Sequence, residues 1–169
     1  MAMLEWSMNS EQRLLKHVLG RALSGKGAHA AAAHVFSGLD AKTAGAKPEK
    51  AQHSLFQILN HIIYWQDWVV KWLKGENPRV PAHAAGGWPR GPAPANAMEW
   101  KHGVRQFQAG LRELEHRSRE TDLLEKIGKQ SRLEMLYAIA AHNSYHLGQA
   151  VVLRQILGKW PPASGGLTW

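Results

Sequence analysis

The sequence predicts an all-α protein, a four-helix bundle, on three observations. Four long segments repeat apolar residues at spacings of three and four, the period of a helix with one buried face. Glycines and prolines separate these segments. No segment sustains the alternation of a half-buried strand, so strands should be absent or trivial. A chain of 169 residues suits one domain, spanning 1–169, with its own core.

The first predicted helix covers residues 10–23. Asn9-Ser10-Glu11 supplies a cap and an acidic first turn, and two glycines follow the last apolar position. The connection 28–50 should hold one short helical piece, in the alanine-rich part 28–37. The second long helix is predicted over 49–74, which contains no glycine or proline.

The segment 75–97 contains five prolines, which predicts a loop, and a loop of this length is often functional. The third helix is predicted over 97–120 and is followed by a short break, 121–130. The fourth helix is predicted over 131–157, because a glycine and two prolines follow it.

The amino-acid composition limits the kinds of site that the chain can contain. The chain has no cysteine, which excludes disulfides, thiolate metal sites, iron–sulfur clusters and a cysteine nucleophile.

The first thirty residues contain four basic residues and no apolar core of a signal peptide, so a cytoplasmic location is expected. The segment 135–153 has no charged residue, but its histidines, Asn143, Ser144 and Gln149 favour a buried helix over a membrane span.

The formal net charge is +8, which raises the possibility of a nucleic-acid partner. The basic residues are spread along the chain, and the densest set alternates with Glu113, Glu115 and Glu120. Nucleic-acid binding is therefore the least favoured hypothesis, and no membrane partner is expected.

Two histidines of the fourth predicted helix, His142 and His146, lie on one apolar stripe with Met135, Ile139 and Leu153. Two imidazoles at positions i and i+4 can bind one ion. Asn143 replaces the glutamate of a zincin motif, which argues against a metalloprotease. Chance alone gives roughly 0.6 such pairs in a chain with this many histidines, so the existence of the pair is weak evidence for a metal site. Its position on the apolar stripe is the stronger evidence. Two interpretations of this pair remain open. The histidines could bind a metal, or they could fill the core and hydrogen-bond to neighbouring side chains.

A third ligand would decide between them. His61 shares a stripe with Trp65, Trp68 and Trp72, whose simplest role is core packing. His53 is the competitor, but eight helical residues place it about 12 Å from His61, so only one of the two can share the ion. The other six histidines are expected on the surface: His17, His29, His34, His83, His102 and His116.

Several motifs together resemble those of the DinB/YfiT-like superfamily of four-helix bundles. They are Leu55-Phe56-Gln57-Ile58-Leu59-Asn60-His61 with Trp65, His142-Asn143-Ser144-Tyr145-His146-Leu147-Gly148-Gln149, Leu153-Arg154-Gln155, Gly158-Lys159-Trp160-Pro161-Pro162 and the terminal Ser164-Gly165-Gly166-Leu167-Thr168-Trp169. The resemblance spans nearly the whole chain, and the combination is far more specific than any one motif.

The resemblance implies an up-down-down-up bundle, usually a homodimer, with one divalent metal held by His61, His142 and His146. Family members often carry acidic residues where this chain has Gln66-Asp67 and Asn143, so acid–base chemistry through those carboxylates is in doubt. Nickel, zinc, iron and manganese all remain possible.

Three neutral imidazoles with an open position are typical of a catalytic metal site. The family is associated with hydrolysis and with transfer of low-molecular-weight thiols, so a metal-dependent hydrolase or thiol transferase is the favoured hypothesis. The main alternative is a non-enzymatic dimer with a structural or vestigial metal. The sequence identifies no catalytic residue beyond the ligands. Residues within a helical turn of the ligands are candidates to orient them, namely Gln57, Asn60, Tyr64 and Gln149, and Trp88 is a candidate to cover the site.

Overall fold

Four long helices make up most of the chain. The computed structural model describes residues 2–165, with side chains from residue 10 onward. The helices are α1 (Ala2–Ser24), α2 (Ala41–Gly45), α3 (Leu55–Leu73), α4 (Ala97–Glu120) and α5 (Arg132–Ile156). Two short 3₁₀ turns, Ala32–His34 and Ala84–Gly87, lie in the connections. The all-α prediction is confirmed, and the last four residues of the terminal motif, 166–169, lie outside the described residues.

The ends of the helices follow their capping residues. The α4 helix has the predicted bounds, and α5 lies within one residue of them, because Asn96 and Ser131 cap their first turns. The α3 helix begins six residues later than predicted, since Ser54 and Gln57 form a capping box there. The predicted start of α1 is wrong: the helix begins at Ala2, eight residues before the expected position.

Two small elements complete the chain. Asp40 caps the five-residue α2 helix by accepting a hydrogen bond from the backbone N–H of Thr43 at 2.7 Å, a helix that the sequence analysis missed. Strands β1 (Lys126–Ile127) and β2 (Gln130–Ser131) form a two-residue antiparallel hairpin in the predicted break before α5. Strands are thus trivial among the described residues, as predicted.

Contacts along the helices give their directions. Gly103 faces Leu59 and Gly110 faces Gln66, so α3 and α4 run parallel. Trp65 lies beside His142 and Ile58 beside Leu153, so α3 and α5 run antiparallel.

Gln12, midway along α1, donates a hydrogen bond to Asp122 just beyond the end of α4, while Ser24 at the end of α1 lines the same surface pocket as Arg112 of α4. The α1 helix is therefore antiparallel to α4, and the order is up-down-down-up.

The core divides into two clusters along the bundle. One holds Leu59, Phe107 and Leu147, and the other holds Leu23, Leu114 and Leu136. The described helices contain no stretch whose length and hydropathy would suit a membrane-spanning segment.

A buried arginine joins the end of α5 to the α1–α2 connection. Arg154 is 2% exposed and donates hydrogen bonds to the carbonyl oxygens of Val35 at 2.6 Å, Ser37 at 2.9 Å and Lys159 at 2.8 Å. The guanidinium also lies 5.5 Å from the ring centre of Trp160. Three carbonyl acceptors thus replace the water that this charge loses on burial.

Candidate metal centre

Three histidines from two helices meet inside the bundle. His61 comes from α3, and His142 and His146 come from successive turns of α5. One ring nitrogen of each lies within 4.8 Å of the corresponding atoms of the other two. His61 and His146 are buried, and His142 is half-buried.

Hydrogen bonds at the Nδ1 atoms of His61 and His146 leave the lone pairs of their Nε2 atoms available for an ion. The Nδ1 atom of His61 lies 2.8 Å from the carbonyl oxygen of Gly87, and Nδ1 of His146 lies 2.8 Å from Oε1 of Gln149. Both oxygens accept, so both Nδ1 atoms carry the proton.

The distance between two of the Nε2 atoms fits a metal ion. Nε2 of His142 lies 3.1 Å from Nε2 of His61. Metal–nitrogen bonds of about 2.0–2.1 Å place two ligands of a tetrahedral ion roughly 3.3 Å apart. The donor set therefore suits a divalent transition metal.

Burial keeps the three imidazoles neutral. The loss of solvent lowers the pKa of His61 to about 4, with smaller contributions from His146 and His53. It lowers the pKa of His142 to about 4 as well, with smaller contributions from His146 and His61. Burial lowers the pKa of His146 as well. A neutral imidazole is the form that binds a metal, so all three are ready as ligands near neutral pH.

The proline-rich loop covers one side of this cluster. The indole of Trp88 stacks on His61, with ring centres 3.8 Å apart and planes 6° from parallel. The loop is held down by Gln57, which donates to the carbonyl of Pro89 at 3.3 Å, and by Ser54, which donates to the carbonyl of Pro92.

Gly87 itself needs to be small. A Cβ atom there would lie 3.3 Å from Nε1 of Trp65 and 3.4 Å from Nδ1 of His61, which is tight against both rings. A glycine therefore lets the loop backbone approach His61 closely enough to hydrogen-bond it.

His53 lies outside the cluster, on the far face of the same indole. Its ring stacks on Trp88 with centres 3.7 Å apart and planes 9° from parallel. Residue 53 precedes α3, so the separation expected along a continuous helix does not apply, and the indole separates His53 from His61 instead.

The four candidate orienting residues have different surroundings. Gln149 reaches His146, as described above. Gln57 reaches the loop rather than a ligand, and Asn60 donates to the carbonyl of Phe56 on its own helix at 2.8 Å. Tyr64 packs edge-on against Trp65. The carbonyl of Gly87 was not foreseen from the sequence, although Gly86-Gly87 before a tryptophan is the signal that marks a close backbone approach.

The described residues bring no carboxylate into the cluster. Asp67 is exposed and pairs with Lys71 at 2.7 Å. Gln66 and Asn143 are neutral amides, each 1% exposed. A bound ion would therefore be held by neutral ligands.

Two of the six histidines expected on the surface, His29 and His34, are half-buried. His29 is half-buried rather than on the surface, because its ring lies 3.1 Å from Oγ of Ser144 and 2.8 Å from the carbonyl oxygen of Ala30. It ties the end of α1 to α5 and stands apart from the three clustered histidines.

The family comparison agrees with this geometry. The model of the DinB superfamily matches residues 26–150, about three quarters of the chain, and this range includes all three clustered histidines. Neither a curated protein nor a solved structure matches the chain.

Proposed function

The chain belongs to the DinB superfamily, and from this premise we propose that it is an enzyme that binds one divalent transition metal through His61, His142 and His146. The observation that carries the proposal is the convergence of three neutral imidazoles within 4.8 Å. Two of them have their Nδ1 protons engaged, which directs their Nε2 atoms to the ion.

A bound ion of this kind lowers the pKa of a water molecule or of a small thiol that occupies an open position. The chain supports this chemistry in three ways. Its ligands are neutral, so the charge of the ion favours an anionic reactant. His142 is only half-buried, so part of this residue remains in contact with solvent. The chain has no cysteine, so a reacting thiol belongs to a second substrate.

We propose hydrolysis or thiol transfer as the reaction, with nickel, zinc, iron or manganese as the ion. The test uses cobalt(II)-loaded protein, whose visible absorption spectrum should change when glutathione is added. Zinc-loaded protein is then assayed with glutathione and an aromatic chloride, and with a nitrophenyl ester. His142→Ala should abolish the spectral change and any turnover.

The matched control is His102→Ala, which removes an exposed histidine of α4 and should behave as wild type. Metal binding without any turnover would support the structural-metal alternative and contradict the proposed activity.

We also propose a homodimer. Leu14 and Val18 of α1 are 62% and 55% exposed, and Tyr137 on the adjacent α5 is 67% exposed. Exposed apolar side chains on two helices that pack together suit a surface that another copy covers. Sedimentation velocity should give a dimer for wild type and a monomer for Val18→Glu. A monomeric wild type would contradict the dimer.

A further inference from the structure

A second feature of the molecule lies beside the three histidines. A cavity of about 700 Å³ opens between the segment 48–53 and the C-terminal half of α5. Its wall is mainly apolar and includes Pro48, Ala51, Ile58, Val152 and Leu153. The volume falls in the range of pockets that enclose small organic ligands, roughly 300–1,000 Å³.

Two polar side chains connect this cavity to the metal centre. Gln149 lines the cavity and accepts the hydrogen bond from Nδ1 of His146. His53 lines it too and stacks on the indole that covers His61. Only the side chain of Gln149 therefore separates the cavity from His146, whereas two side chains, His53 and Trp88, separate it from His61.

We propose that this cavity binds the apolar body of the substrate, a small uncharged organic molecule with one polar reacting group that extends past Gln149 toward the three histidines. This assignment rests on the proposed function, because it places the reacting group at the metal. The apolar wall supplies affinity through burial, and Gln149 and His53, the lining side chains connected to the centre, orient the molecule.

The wall offers a substitution that fills the cavity at little cost to the fold. Gly148 lies within α5 and lines the cavity, and a Cβ atom there would meet nothing within 4 Å. Gly148→Phe should therefore place a ring in the cavity and improve helix propensity. Gly20→Phe is the matched control, because Gly20 lies within α1, also has open space and is absent from the cavity wall.

The experiment measures binding of N-phenyl-1-naphthylamine, an uncharged apolar fluorophore with one N–H group, to zinc-loaded protein. Wild type and Gly20→Phe should bind it equally, and Gly148→Phe should bind it at least about tenfold more weakly. Manganese-loaded protein should broaden the proton resonances of the bound probe, whereas zinc-loaded protein should not, which reports that the cavity adjoins the ion. Metal content and oligomeric state are measured for all three proteins.

The outcomes separate the two proposals. Full metal content with no probe binding, or with equal binding by Gly148→Phe, overturns the cavity and leaves the metal site standing. Probe binding without any metal overturns the proposed function and, with it, the assignment of the probe as a substrate mimic. A wild type that excludes the probe and a Gly148→Phe variant that becomes monomeric would mean that a second copy fills the cavity, which also overturns the proposal.

Discussion

Gln149 gives the sharpest test of how the chain orients a ligand. Replacing it with leucine keeps the volume of the side chain near that of glutamine and removes the oxygen that accepts from Nδ1 of His146 at 2.8 Å. Without that acceptor, the ring of His146 can rotate or exchange its tautomer, and its Nε2 atom is no longer held toward the other two ligands.

The expected loss of metal affinity follows from this single hydrogen bond. Removing a group that orients a metal-binding histidine weakens affinity about 10- to 100-fold, which corresponds to roughly 1.4–2.7 kcal/mol. The fold should survive, because Gln149 is half-buried and lines an open cavity rather than the closed core.

Competition between the protein and a chromophoric zinc chelator at pH 7.5 measures this affinity. Gln155→Leu is the matched control, since Gln155 is exposed near the end of the same helix and should leave the affinity unchanged. A Gln149→Leu protein that binds zinc within twofold of wild type would refute the idea that this hydrogen bond orients His146.

Three further predictions concern stability. Arg154→Met should lower the free energy of unfolding in urea by roughly 3–5 kcal/mol, because three carbonyl oxygens around a buried guanidinium lose their donor, and a loss below about 1 kcal/mol would contradict this. Ser54→Ala should cost about 1–2 kcal/mol in the same assay, since it removes the cap of α3 and the bond to Pro92, and an unchanged midpoint would contradict that role. The metal-free protein should be most stable above pH 6.5 and lose stability as the pH falls toward 4, because the unfolded chain protonates His61 and His142 where the folded chain keeps them neutral; a flat profile in thermal melts would contradict the neutral cluster.

Periodicity and family motifs predicted the bundle because they depend on local spacing. The predicted bounds of α4 and α5 agree with the structure to within one residue, since Asn96 and Ser131 cap helices that carry long apolar repeats. The start of α3 was missed because residues 49–54 contain no glycine or proline that would break a helix. Only the capping box formed by Ser54 and Gln57 sets the first residue of the helix. Absence of a breaker is weaker information than presence of a cap.

The candidate metal centre likewise has features that the sequence predicted and features that it did not. The convergence of His61 with the pair on α5 followed from the helical stripes and the resemblance. The stacking of Trp88 between two histidines and the carbonyl of Gly87 depend on the path of a 23-residue proline-rich loop, which no local pattern determines. The cavity beside Gln149 likewise arises from tertiary packing between segments about 95 residues apart.

Metal content by plasma mass spectrometry tests the central claim most directly, on untagged protein purified without added metal or chelator. The account predicts near one equivalent of a transition metal in wild type and in His102→Ala, and its loss in His61→Ala and in His146→Ala, with the helical circular dichroism spectrum retained. Wild-type protein that binds no metal even after reconstitution, or a His61→Ala variant that keeps its full metal content, would contradict the three-histidine centre.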